Sequence, residues 1–194
     1  MATKNKQTEE IISPKSFFIG PTDAPVTLVM FGDYESDSCY QLHGIIKQLL
    51  AAYEGKLRFG YRHFPLTQVH QKAQKAAEAS VAALQEGMFW PMHDMLFEHR
   101  RHLGIISMKG YAKELGFDKK ACKRFLGALV DSTYSWEVRG DLLNGLQLGI
   151  RDVPALLING VIYKESFDYE SIKKYIDGCI RPKKSESKVV RKRA

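Results

Sequence analysis

Six residues, Val26-Thr27-Leu28-Val29-Met30-Phe31, form a continuous apolar, β-rich run, the pattern of a buried strand. Gly32 and Asp33 stop it. From about Ser38 to Tyr53 the apolar residues Leu42, Ile45, Ile46, Leu49 and Leu50 then recur at helical spacing, so the strand hands over to an amphipathic helix. Gly55 ends that helix as a C-cap, and Leu57 to Phe64 alternates like a second strand closed by Pro65. A strand, a helix and a strand in this order predict a right-handed crossover between parallel strands.

The pattern changes between about Val69 and Leu148. The stretch QKAQKAAEASVAALQEG is rich in the best helix formers and is stopped by Gly87, and further helices are predicted at 90–102, 107–115, 118–130 and 132–148. Helices without strands inside an α/β chain read as an inserted helical layer. Past Ile150 the strand signal returns as Ala155-Leu156-Leu157-Ile158. The turn pair Asn159-Gly160 and Val161-Ile162-Tyr163 complete a hairpin signal. Phe167 to Ile180, with Tyr169, Ile172, Ile176 and Ile180 at helical spacing, predicts a closing helix.

At 194 residues, with 44% hydrophobic and 26% charged, the chain suits one globular domain, and no run reaches the ~20 apolar residues of a membrane span. The N-terminal segment lacks the apolar run of a secretory signal, which predicts a cytoplasmic protein. Three cysteines, Cys39, Cys122 and Cys179, are too scattered for a disulfide framework, and that fits a reducing compartment. The net charge of +7 suggests nucleic acid until it is located. Residues 181–194 carry +6 of it, so the body is nearly neutral, and nucleic acid is expected to meet the chain only through non-specific contact by that basic, disordered tail.

Strand, helix, strand, hairpin and final helix, with an 80-residue helical insert before the hairpin, resembles the DsbA-like branch of the thioredoxin fold. The resemblance rests on PTDAPVTLVMFGDYESDSCYQLH, on RHFPLTQVHQKAQKAAEASVAALQEGMFWPMHDMLF and on GIRDVPALLINGVIY. It implies an α/β thioredoxin-like domain over 14–180 with an all-helical insert at about 66–148. A flexible lead at 1–13 and the basic tail at 181–194 flank that domain.

The family's redox motif after Asp-aromatic-x is Cys-x-x-Cys at the start of the first helix. Here Asp33-Tyr34-Glu35 is followed by Ser36-Asp37-Ser38-Cys39, so the resemblance puts Ser36 at the nucleophile position and Cys39 at the resolving one. A hydroxyl cannot perform disulfide exchange, and Ser36 reads better as a helix N-cap. Cys39 lies four residues before His43, so a Cys–His pair is a further candidate, against which the charge of Asp37 disfavours a thiolate, and His43 is also expected beside the substrate. The resemblance also implies a cis Val153-Pro154 bond facing the motif, with the Val153 backbone pairing to an extended peptide or thiol substrate.

The other candidates read as structural. His63, His70, His93, His99 and His102 show no metal-ligand spacing and are expected on solvated helix faces or satisfied within the fold, so no metal is predicted. Phe89 and Trp90 read as core anchors, and Cys122 and Cys179 as small buried hydrophobes. Three functions stay open at this point. One is a redox-impaired member that binds a peptide or small thiol beside Pro154. Another is an enzyme like the kappa-class glutathione transferases, with Ser36 donating to the sulfur of glutathione, the one cofactor that is open. The last is a non-catalytic scaffold.

Overall fold

The computed structural model describes residues 17–180, so the expectations for the 1–13 lead and the 181–194 tail fall outside the described residues. Among the described residues five strands form one sheet: β1 (Phe18–Ile19), β2 (Val26–Gly32), β3 (Leu57–His63), β4 (Ala155–Ile158) and β5 (Val161–Ile162). Their spatial order is β1-β3-β2-β4-β5. β2 and β3 run parallel, with Val26 opposite Leu57 and Gly32 opposite His63. β4 pairs antiparallel to β2, Leu28 facing Ile158. Nearly every residue of β2 and β3 is buried, so both faces of the sheet centre are covered, and this is why both strands carry few polar residues.

The crossover is α1 (Asp37–Ala52). After β3 come five helices without a strand: α2 (Ala73–Leu84), α3 (Phe89–Glu98), α4 (Ile105–Glu114), α5 (Lys119–Val130) and α6 (Ser135–Gln147). The helical insert expected at about 66–148 is therefore present, with several of its helix ends displaced from the expected bounds. α3 ends at Glu98, where the expected helix ran to 102, because Arg100 and His102 bond back to Phe97 and His99 in turns. α7 (Tyr169–Ile180) closes the fold by burying Ile172 and Ile176.

The Asn159-Gly160 hairpin forms as expected, both residues having positive φ (49° and 80°). Asn159 also ties the turn to β2, exchanging hydrogen bonds of 2.8 Å with the Thr27 backbone through its own N–H and its side-chain oxygen. Tyr163 falls just past β5, which has only two residues. No residue pattern announces β1. Two residues antiparallel to β3 are too short to show a period.

Candidate functional site

The turn that launches α1 is set by Asp33, a buried carboxylate at the end of β2. Its Oδ1 accepts the Glu35 N–H at 2.8 Å, and its Oδ2 accepts the Leu66 N–H at 2.9 Å and meets His70 Nδ1 at 2.9 Å. One side chain thus fixes the chain leaving β2 against the chain leaving β3. Ser36 follows in extended conformation (φ −78°, ψ 125°), and its Oγ accepts the Cys39 N–H at 3.3 Å. This is the N-cap anticipated from the sequence.

Cys39 is fully buried, and the Asp33 N–H points at its sulfur from 3.4 Å. Burial pushes its thiol up to about 11, outweighing the hydrogen bonds from Ser36 and Asp33 that act the other way. The carboxylates that raise it further are Asp33 and Asp152. Asp37, expected to be the disfavouring charge, is instead held by Arg100 at 2.6 Å and Arg101 at 2.9 Å, both just past α3.

The Val153-Pro154 bond is cis. Beside it lies a cleft of about 370 Å³ walled by Ser38, Gln41 and Leu42 of α1, by Asp152, Val153 and Pro154, and by Phe167. Val153 and Pro154 are the two sequence-predicted site residues among these walls. Ser36 and Cys39 are buried at the head of the same helix. His43 turns toward the insert, its Nε2 3.2 Å from Asp94 Oδ1 and its ring stacked on Phe97 at 4.7 Å.

Two histidines expected on solvated faces or satisfied in the fold are core residues, because β3 and the inner face of α3 are buried along their lengths. His63 lies between Asp141 Oδ2 (2.8 Å from Nδ1) and Ser80 Oγ (2.8 Å from Nε2). That connectivity is the order of a Ser-His-Asp triad. Ser80 is fully buried in α2, however, and its hydroxyl donates to the Ala77 carbonyl at 2.8 Å, so no substrate reaches it. The same Asp141 accepts from Arg62 at 2.6 Å and from the His63 N–H at 3.1 Å, which makes it a clamp between α6 and β3. His93 bonds Tyr34 Oη through Nδ1 at 2.9 Å, and burial holds its imidazole well below the usual range. With His43 and Asp94 it forms a three-residue donor group that no local spacing announces.

Phe89 is buried and Trp90 half-buried against Phe59. Cys122 is buried with its sulfur toward the Phe117 carbonyl. Cys179, expected to be buried, is exposed, since it sits in the last turn of α7 past the buried Ile172 and Ile176. All three cysteines are free.

The sequence profile of the thioredoxin family matches residues 13–178. The chain belongs to the thioredoxin family. Among solved structures, this thioredoxin-family chain is similar to oxidised BdbD from Bacillus subtilis, with a TM-score of 0.74 and 25% identity over 84% of this chain and 91% of that one. The fold is shared with alpha-DsbA2 of Wolbachia pipientis, a thiol-disulfide exchange protein, at a TM-score of 0.75 and 22% identity over 90% and 93% of the two chains. The architecture is accordingly the α/β thioredoxin fold with an inserted helical region, as in DsbA structures. Curated relatives include the Na(+)/H(+) antiporter NhaA 1 of Salinispora arenicola, 35% identical over 153 residues, which are 79% of this chain and 23% of that protein. The NhaA antiporter of Herminiimonas arsenicoxydans is 32% identical over 162 residues, 84% of this chain and 25% of that protein. The chain spans about a quarter of the length of these relatives.

Proposed function

We propose that this domain is a DsbA-like module with a degenerate Ser-x-x-Cys site, impaired in dithiol exchange, that binds an extended peptide or small thiol compound in the cleft beside Pro154. In this reading Ser36 occupies the position of the attacking thiol and Cys39 the resolving position. The observation that carries it is the state of those two side chains: the Ser36 oxygen caps α1, and the Cys39 thiol is sealed and pushed up to about 11. Exchange requires a thiolate, then a second thiol to resolve the mixed disulfide. At neutral pH roughly one Cys39 in 10⁴ would be ionised, and a serine offers no thiol at all.

Binding chemistry survives this loss, because the cleft is built from groups other than the two motif side chains. An extended chain pairing with Val153 would take over its N–H, which Asp152 Oδ1 accepts at 2.8 Å in the free domain. The relatives' antiporter chains contain a region like this one as about a quarter of their length, which supports a module that serves a larger partner. Three unpaired cysteines fit a reducing, cytoplasmic setting.

Titration with an extended peptide and, separately, with reduced glutathione, followed by amide chemical shifts, tests the proposal. It predicts peptide-dependent shifts at Gln41, Leu42, Asp152 and Val153. Shifts with glutathione alone, centred on Ser36, would favour the transferase-like reading instead, and no shift with either ligand would leave a scaffold.

A further inference from the structure

A second potential site lies where α1 meets α3. His43 projects from α1, and His93 and Asp94 from α3, with one ligand atom of each within 4.8 Å of the others. His43 Nε2 and Asp94 Oδ1 pair at 3.2 Å, a contact that a bound ion would replace. Two ligands of a tetrahedral zinc, each about 2.0–2.1 Å from the metal, stand about 3.3 Å apart, so this pair already has the spacing of two corners. His93 spends Nδ1 on Tyr34 Oη, and its Nε2 is buried without a hydrogen-bond partner. A buried ring nitrogen with nothing to bond is costly, and an ion would satisfy it.

We propose that His43, His93 and Asp94 form a zinc-binding site. Two neutral imidazoles and one carboxylate are a donor set that zinc accepts, with a fourth position for water. As in such sites, ligands are themselves held by neighbours, here two of the three by hydrogen bonds. Tyr34 holds the far nitrogen of His93, and Lys47 holds Asp94 Oδ2 at 3.0 Å while Oδ1 faces the histidine. Phe97 stacks on His43 and packs at 5.1 Å from His93, which restricts both rings. Asp94 is the half-exposed member, so an ion reaches the group from its side. The positive charge of Lys47 opposes an ion, but it sits on the far oxygen of Asp94 and is half-exposed, so water screens it. The site is set by α1 and α3 and is separate from the cleft beside Pro154, since its residues are none of the cleft's walls.

The test is zinc titration of the full chain after treatment with a chelator, followed by calorimetry, with cobalt as a spectroscopic substitute. The expected result is one ion per chain with a Kd below about 10 µM, and a cobalt spectrum of four-coordinate nitrogen and oxygen ligands without a thiolate charge-transfer band. His43→Gln and Asp94→Asn each weaken binding by about tenfold or more, while Cys179→Ser and His99→Gln leave it unchanged. Asp94 is half-exposed, so its variant folds even where the His43 variant does not, as circular dichroism would verify. Absence of uptake by the unaltered chain, uptake indifferent to Asp94→Asn, or uptake lost with Cys179→Ser would each overturn the assignment.

Discussion

Asp33 directs its backbone N–H at the sulfur of Cys39 from 3.4 Å, while the same residue's carboxylate, through Leu66 and His70, anchors the segment after β3. The cysteine is thereby enclosed by the turn that starts its own helix. Its surroundings are those of a buried apolar side chain with a weak sulfur acceptor, which favour the neutral thiol.

Native-state alkylation follows from this enclosure. Iodoacetamide should modify exposed Cys179 first and reach Cys39 only as the domain unfolds, as peptide mass spectrometry would read. The folded thiol titrates at about 11, above its ordinary 9.0, so the folded state holds this proton more tightly than the unfolded one. The resulting stability is fully present below about pH 9 and is lost as pH rises through about 11. Tyr34 and Tyr61 are also raised by burial, so the comparison is between the unaltered chain and Cys39→Ala. The variant should show the shallower loss between pH 9 and 11, and equal slopes would contradict the assigned shift.

Asp141 should be the costliest polar side chain to remove. Its two oxygens serve Arg62, the His63 N–H and the His63 ring, and both side chains of the Arg62 pair are over nine-tenths buried. Asp141→Ala should lower stability by about 3–5 kcal/mol in urea unfolding. A loss below about 1 kcal/mol would show that the clamp contributes little.

Much of this architecture was legible because its signals are local. The apolar run of β2, the heptad-like burial on α1, the Asn159-Gly160 turn and the Ser36 cap each lie within a few residues. The site's wider wiring was not legible. Asp141 meets His63 across 78 positions, and His43 and Asp94 lie on different helices, so no spacing rule links them. Cys179 misled for a related reason: helical position placed it near the stripe of Ile172 and Ile176, but whether the last turn of a helix is covered depends on where its neighbours end.

Gly145 sets how closely α6 approaches the sheet. A Cβ there would stand 2.8 Å from the Phe64 ring and 3.1 Å from that of Phe31. Alanine is better than glycine in a helix by about 1 kcal/mol, whereas overfilling a packed core costs about 1–3 kcal/mol. The steric cost should win, so Gly145→Ala is expected to lower Tm. A rise in Tm would mean that the two aromatic rings move aside freely.

The proposed placement of Ser36 at the attacking position is tested by putting a thiol there. Ser36→Cys places a second sulfur three residues before Cys39 at the start of α1, within bridging reach. Thiols are counted in denatured samples before and after mild oxidation. The unaltered chain, with its three cysteines, should keep all three thiols and reduce insulin no faster than background. The variant should fall from four thiols to two, with the bond mapped to residues 36 and 39. Four thiols surviving in the oxidised variant, or disulfide turnover by the unaltered chain, would contradict the placement of Ser36 at the attacking position.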